Sequence, residues 1–191
     1  MNITFNERDA LLVVDLQYDF MPDGALHVPE GDKIIPLVNT LPAAAQKGHA
    51  TIIASRDWHP TNNSSFKEQG GPWDPHCVQN THGASFHKEV KFPENTIVVS
   101  KGFEIEHPYS AFDAKSENGY GQSLPDILKQ HNIQRVIIAG LALDYCVKAS
   151  CLDAIKQGFE TLVVLDATRA ITAEDGQETV RVLKSFGIQL I

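Results

Sequence analysis

The sequence predicts an α/β fold of three layers, in which a six-stranded, mainly parallel sheet lies between helices on both faces. Short apolar segments alternate along the chain with segments whose apolar residues recur at helical spacing. The apolar segments are too uniform for strands with one face in water, so the sheet should be covered on both sides. The 191 residues, 42% hydrophobic and 21% charged, have an ordinary globular composition. We therefore expect a single domain over residues 1–191.

The predicted elements follow in chain order. Strands are expected at residues 10–16, 51–55, 96–100, 136–140, 161–165 and 188–191, and helices at 32–46, 124–130, 144–155 and 173–186. The first helix has apolar residues at helical spacing and should stop at Gly48, whereas Pro42 should kink it or end it early. Residues 57–95 break this alternation with many Asn, Ser, Gly, Pro and His residues. A loop excursion of this length is usually functional.

Three reactive side chains fall where predicted strands end. If the first and fourth strands are neighbours, the strand order is 3-2-1-4-5-6, and a ligand should bind beyond the carboxyl ends of the strands. Asp15 ends the first strand, Lys101 follows the third, and Cys146 follows the fourth. The first strand runs into Asp15 without a glycine-rich turn, which argues against a dinucleotide site.

Cys146 falls in the first turn of a predicted helix, near Asp144, which could cap the free N–H groups there. A helix start lowers the pKa of a thiol and favours a thiolate nucleophile. Such a nucleophile needs a proton acceptor, a role that suits Asp15, and Lys101 would hold both groups electrostatically. Taken singly, Cys146 could be a small buried apolar residue, Asp15 a cap or ion-pair partner, and Lys101 a charge at the rim.

The loop at 57–95 carries a second group of candidates. Asp57 and His59 lie two residues apart in an extended segment and share a face, and His76 can return across the loop. One carboxylate with two imidazoles is a common ligand set for Zn²⁺, Fe²⁺ or Mn²⁺. The spacing alone equally allows a polar loop with incidental histidines.

Charge and cysteine content restrict the partners and the compartment. The net charge of −8 argues against nucleic acid and anionic membranes, since both require a basic face. Three cysteines without a C-x-x-C spacing suit a reducing cytoplasm. Residues 1–7 lack the pattern of a signal peptide, and no apolar run approaches the ~20 residues of a membrane span.

Several separate motifs, in order along the chain, resemble the nicotinamidases among the isochorismatase-like cysteine hydrolases. The matching segments are residues 14–20, 57–60, 73–78, 101–102 and 140–147, which read VDLQYDF, DWHP, WDPHCV, KG and GLALDYCV. The resemblance implies a catalytic triad of Asp15, Lys101 and Cys146 and a metal on Asp57, His59 and His76. It also implies an oxyanion hole from the N–H groups of Ala142 and Cys146, with a cis peptide between Leu141 and Ala142. The sequence departs from the family pattern at Tyr18, where Asn is common, and at Leu143, where Thr is common.

The resemblance further implies hydrolysis of nicotinamide to nicotinate and ammonia through a cysteine thioester, in NAD salvage. One divalent metal ion is implied, Zn²⁺ first, with Fe²⁺ or Mn²⁺ as alternatives, and either Ser65 or Glu68 could be a fourth ligand. Side chains expected to contact the substrate are Phe20, Trp73, Tyr109 and Tyr145. Two alternatives stay open: a related hydrolase for another amide, such as an N-carbamoyl compound or ureidoacrylate, and a non-catalytic ligand-binding module. A homo-oligomer is compatible with the sequence.

Overall fold

The computed structural model describes residues 3–106 and 108–191; Met1 and Asn2, part of the N-terminal segment considered above, lie outside these ranges. Six strands form one sheet, and its order, β3-β2-β1-β4-β5-β6, confirms the predicted order. All of its strand pairs are parallel. The strands are β1 (Asp9–Val14), β2 (Thr51–Asp57), β3 (Ile97–Lys101), β4 (Arg135–Leu141), β5 (Glu160–Arg169) and β6 (Gln189–Leu190).

Helices cover both faces of the sheet and give the predicted three layers. They are α1 (Ile35–Val38), α2 (Leu41–Lys47), α3 (Leu124–Gln130), α4 (Lys148–Lys156) and α5 (Ala173–Ser185). Alternate residues of β1 enter two separate cores: Leu11 and Val13 pack with α1 and α2, and Leu12 packs with residues of α3, α4 and α5. The strands therefore read as continuous apolar runs because both of their faces are buried.

The largest differences from the predicted elements are in the first helix and in β5. The helix expected at 32–46 is divided between α1 and α2, and Pro42 lies in the first turn of α2, where its missing N–H does no harm. Strand β5 continues to Arg169, well beyond the predicted end at Leu165, and a bulge shifts its pairing with β4 between Ile138 and Gly140. The regular pattern of apolar residues is interrupted at such a bulge, so the sequence pattern did not predict the second half of β5.

The loop that follows β2 is irregular, but one isolated bridge joins it to the segment after β1 and another joins two of its own parts. Gln17 pairs with Phe86, and His59 pairs with Val78. The main chain of Tyr18 donates a hydrogen bond to the carbonyl of Ser85. The loop excursion is therefore fixed against the carboxyl end of the sheet, where a site was expected. In the part of the chain that the structure describes, no helix has both the length and the apolar character of a membrane span.

Candidate active site

The carboxyl ends of β1, β2, β3 and β4 bring the predicted reactive residues together. Asp57 and Lys101 are opposite one another in the β2–β3 register, and Val14, just before Asp15, is paired with Ser55 and Gly140. Gly140 has a φ of 119°, and a Cβ there would collide with the main chain of Val14. Glycine at this position therefore allows β4 to lie close to β1, which places the turn after β4 beside Asp15.

Lys101 is the centre of a buried polar cluster. Its Nζ lies 2.9 Å from Asp15 Oδ2 and 3.4 Å from Cys146 Sγ, and it also donates a hydrogen bond to Asp57 Oδ1. Burial alone lowers the pKa of Lys101, but the charges of the two carboxylates outweigh it and hold this pKa well above its ordinary value. Lys101 is therefore an ammonium ion inside the protein, not a charge at the rim.

Asp15 has the environment of a proton-transfer group. It is fully buried, and the hydroxyl of Ser55 donates a hydrogen bond to its Oδ1 at 2.7 Å. Burial raises the pKa of Asp15 above its ordinary value, and the Lys101 charge opposes this only in part. A carboxylate with a raised pKa is a stronger base, so Asp15 is better suited than a solvated aspartate to accept and return a proton.

Cys146 lies in a π-helical turn, Leu143–Val147, that precedes α4. The expected lowering of its pKa by a helix start is wrong: burial raises the pKa of the Cys146 thiol well above its ordinary value, although Lys101 opposes this shift. Asp144 does not cap the turn either, because its carboxylate accepts the N–H of Ile171 at 3.2 and 3.1 Å. With its pKa raised, Cys146 would need a base beside it to become a thiolate, and a carboxylate oxygen of Asp15 lies within 4.8 Å of its sulfur.

Asp57, His59 and His76 converge as predicted, with one ligand atom from each lying within 4.8 Å of the others. His59 Nδ1 lies 2.9 Å from the carbonyl of Gly102, and His76 Nδ1 lies 2.8 Å from that of Asp74. These carbonyls accept the Nδ1 protons, which leaves Nε2 of each ring as the atom for a metal. Burial also lowers the pKa of His76, favouring the neutral imidazole that metals bind. This donor set fits a zinc ion.

The two candidates for a fourth ligand occupy different environments. Ser65 is buried, and its hydroxyl donates to Asn63 Oδ1 at 2.6 Å. Glu68 is exposed to solvent and is not among the carboxylates that converge with His59 and His76. The geometry therefore supplies three ligand residues and assigns no role to Glu68.

One pocket is lined by both Cys146 and Asp57. Its wall contains every aromatic residue expected to contact a substrate; the lining residues include Phe20, Trp73, Tyr109, Tyr145, His76 and Ala142. Trp73 donates its indole N–H to the hydroxyl of Tyr109 at 3.0 Å and packs edge-on against Tyr145. The peptide between Leu141 and Ala142 is cis, at the position implied by the resemblance.

Four further residues of the site were missed. Leu26 and Ile171 complete the apolar wall of the pocket, but both lie in loops without periodicity and carry no chemical signal. Ser55 and Gln17, which bond to Asp15 and to the main chain of Asp57, are buried polar residues. A polar residue at the end of an otherwise apolar strand was a signal available for Ser55.

Comparison with known proteins gives one consistent result. Residues 9–191 match the model of the isochorismatase domain. The chain is 40% identical over 186 residues to the nicotinamidase of Escherichia coli strain K12, covering 86% of this chain and 84% of the relative. It matches the crystal structure of a zinc complex of Pyrococcus horikoshii pyrazinamidase with a TM-score of 0.88 and 46% identity, over 96% of this chain and 98% of the other. An L. infantum protein solved with nicotinate matches with a TM-score of 0.87 and 32% identity, over 100% and 96%.

Replacing Gly102 tests the metal group. Gly102 has a φ of 61°, and a Cβ on it would collide with Cε1 and Nδ1 of His59. We expect Gly102→Ala to displace this imidazole and weaken zinc binding at least about tenfold, since loss of ligand orientation typically costs 10–100-fold in metal affinity. Competition with a chromophoric chelator measures the affinity.

Gly158→Ala is the matched control, because Gly158 also has a positive φ, 89°, but nothing lies within 4 Å of its missing Cβ. It should show the backbone strain as a lower melting temperature and bind zinc like the wild type. Equal zinc affinities in the two variants would contradict the assignment of His59 to the metal group.

Limited alkylation tests the state of Cys146. Cys146 is 6% exposed at the pocket, whereas Cys77 and Cys151 are 0% exposed, so iodoacetamide should modify Cys146 first. Because the thiolate is the reactive form and the pKa is raised, the rate should climb as the pH rises from neutrality. Lys101→Met should slow the reaction, since the Lys101 charge lowers the thiol pKa. Peptide mapping by mass spectrometry locates the label. A first label on Cys77 or Cys151 would contradict the inference that exposure at the pocket makes Cys146 the most reactive thiol.

Proposed function

This chain belongs to the isochorismatase family, and on that premise we propose that it hydrolyses nicotinamide to nicotinate and ammonia through a thioester on Cys146. One observation carries the proposal: Lys101 Nζ lies within 2.9 Å of Asp15 and 3.4 Å of Cys146, and Asp57 joins this cluster to the histidines at the same pocket. A nucleophile, a base and a group of metal ligands at one apolar pocket fit a small aromatic amide. Relatives named for nicotinamide and pyrazinamide support the same substrate class.

The pocket suits a flat heteroaromatic ring. Phe20 and Trp73 would flank the ring, and Tyr109 and Tyr145 would close the remaining wall. Asp57, His59 and His76 would hold the divalent ion, which when bound supplies a Lewis-acid contact for the pyridine nitrogen. A ring seated in this way would hold its carboxamide over Cys146, at the floor of the pocket.

Asp15 performs the proton transfers in this proposal. Its carboxylate accepts the thiol proton of Cys146 as the sulfur attacks the carbonyl carbon, so a C–S bond forms and the carbonyl becomes an oxyanion. The N–H groups of Ala142 and Cys146 stabilise that oxyanion, a contribution of about 3–4 kcal/mol for one donor. Asp15 then protonates the departing nitrogen, which leaves as ammonia. Water hydrolyses the thioester, releasing nicotinate and returning the proton to sulfur.

Lys101 compensates the negative charge that develops during these reaction steps. Because its ammonium touches both Asp15 and Cys146, it stabilises whichever of the two is anionic at a given step. The raised pKa of Lys101 keeps this charge in place through the reaction. Lys101 therefore lowers the free-energy cost of forming the thiolate in an interior that otherwise disfavours it.

The two alternative functions are less well supported. A related hydrolase for another amide would not need a metal group beside the pocket, and a non-catalytic module would not need the contact of Lys101 with Asp15 and Cys146. Three unpaired, buried cysteines suit the reducing cytoplasm, which we propose as the compartment. The proposed partner is the small substrate alone, with neither nucleic acid nor membrane, and the proposal is compatible with a homo-oligomer.

Removing the nucleophile tests the proposed function directly. Cys146→Ala should reduce ammonia release from nicotinamide by at least about 10³-fold, because no other group can form the thioester. Nicotinamide should still bind with near wild-type affinity in calorimetry, since the pocket walls are unchanged. Cys151→Ala, which removes a buried thiol on α4, is the control and should keep its turnover. Substantial turnover by Cys146→Ala would remove the assignment.

Removing the metal tests how the ring is held. After chelation, binding of nicotinamide should weaken more than binding of benzamide, which has the same carboxamide and ring size but no ring nitrogen. The reason is that only nicotinamide can use the Lewis-acid contact beside His59 and His76. Calorimetric affinities of Cys146→Ala, which should bind nicotinamide without turning it over, make the measurement before chelation, after it, and again with zinc added back. Equal losses for the two amides would mean that the metal does not contact the ring.

A further inference from the structure

Gln17 has a fully buried side-chain amide that forms hydrogen bonds with both the N–H and the carbonyl of Asp57. Its Nε2 donates to the carbonyl of Asp57 at 2.8 Å and to that of Ala84 at 2.9 Å. Its Oε1 accepts the N–H of Asp57 at 2.7 Å. The side chain has no solvent exposure. One side chain therefore holds both peptide groups of Asp57 and connects them to the loop at Ala84.

Only an amide of this length satisfies the three partners. The two carbonyls require donors and the N–H requires an acceptor, which determines the orientation of the Gln17 amide without ambiguity. A glutamate would direct a carboxylate oxygen at two carbonyl oxygens, and an apolar residue would remove all three of these buried hydrogen bonds. The requirement is thus for glutamine itself, not only for a residue of its volume.

Gln17 connects Asp15 with Asp57, the residue that belongs to both the Lys101 cluster and the metal group. It lies two residues after Asp15, and its own N–H donates to the Asp15 carbonyl at 2.9 Å. Asp57, which it holds, contacts the ammonium of Lys101 through one carboxylate oxygen and converges with the histidines. A shift of the Asp57 main chain would displace the metal ligand and the partner of Lys101 together.

We propose that Gln17 is a positioning residue that sets the location of Asp57 for two purposes, metal binding and the support of Lys101. It touches neither substrate nor reacting atoms and acts through Asp57. The kinetic consequence rests on the proposed function, whereas the effect on zinc affinity does not depend on any substrate.

Gln17→Met, which keeps the volume and removes the three bonds, is the test variant. We expect its zinc dissociation constant, measured by chelator competition well below the melting temperature, to rise at least tenfold. With zinc at saturation, kcat for nicotinamide should also fall at least tenfold, because Lys101 then has a displaced partner. If Gln17→Met does not fold, Gln17→Asn, whose amide is one methylene shorter and cannot reach all three groups, should show both effects at smaller size.

Arg135→Met is the matched control. Arg135 also makes three side-chain hydrogen bonds that join β4 to the β1 segment, two to Asp9 and one to the Thr4 carbonyl, but at the opposite end of the sheet. This variant should lower the melting temperature and leave zinc affinity and kcat within twofold of the wild type. If Gln17→Met loses only stability and binds zinc like the control, Gln17 is merely structural and the proposal is wrong. If no variant turns over nicotinamide, wild type included, the proposed function fails, and the zinc affinities still decide the role of Gln17.

Discussion

The structure depends on the burial of one ammonium ion between two carboxylates. A charged side chain inside a protein is costly unless it is paired and hydrogen-bonded, and Lys101, with no solvent exposure, is paired with Asp15 and Asp57. Those partners come from two different strands, and the parallel register places Asp57 directly opposite Lys101. The adjacent placement of β3, β2 and β1 is what brings the ammonium to both partners. The requirement to neutralise Lys101 and the requirement to assemble the site are therefore met by the same sheet.

Asp57 belongs to both parts of this site. One carboxylate oxygen accepts from Lys101, and the other lies 3.5 Å from His59 Nε2. Two carboxylates around one ammonium leave an excess negative charge in the interior, which favours a cation at the adjacent histidines. The Lys101 cluster and the group of His59 and His76 are thus coupled through the side chain of Asp57. The buried amide of Gln17 holds the main chain of that same residue.

Much of this arrangement could be predicted, because it follows from the covalent order of the chain. Uniform apolar segments predicted strands buried on both faces, and parallel strands present their carboxyl ends at one edge, which brought Asp15, Lys101 and Cys146 together. What could not be predicted arises from distant contacts. The pKa of Cys146 is governed by how deeply it is buried, a property of the folded surface that no local spacing reports. Asp144 matches a helix cap in sequence, yet its carboxylate bonds to Ile171, which the longer β5 places nearby.

The raised pKa of Cys146 also bears on how the protein survives in a cell. Peroxide attacks thiolates, so a sulfur that stays protonated and 6% exposed is a poor target for oxidation to sulfenic acid. A cysteine activated permanently by a helix start would be ready for its reaction but would also be consumed by stray oxidants. In the proposed reaction, the ionised sulfur of Cys146 forms only when Asp15 accepts its proton. The burial that raises the pKa of the Cys146 thiol thus also protects this sulfur from oxidation.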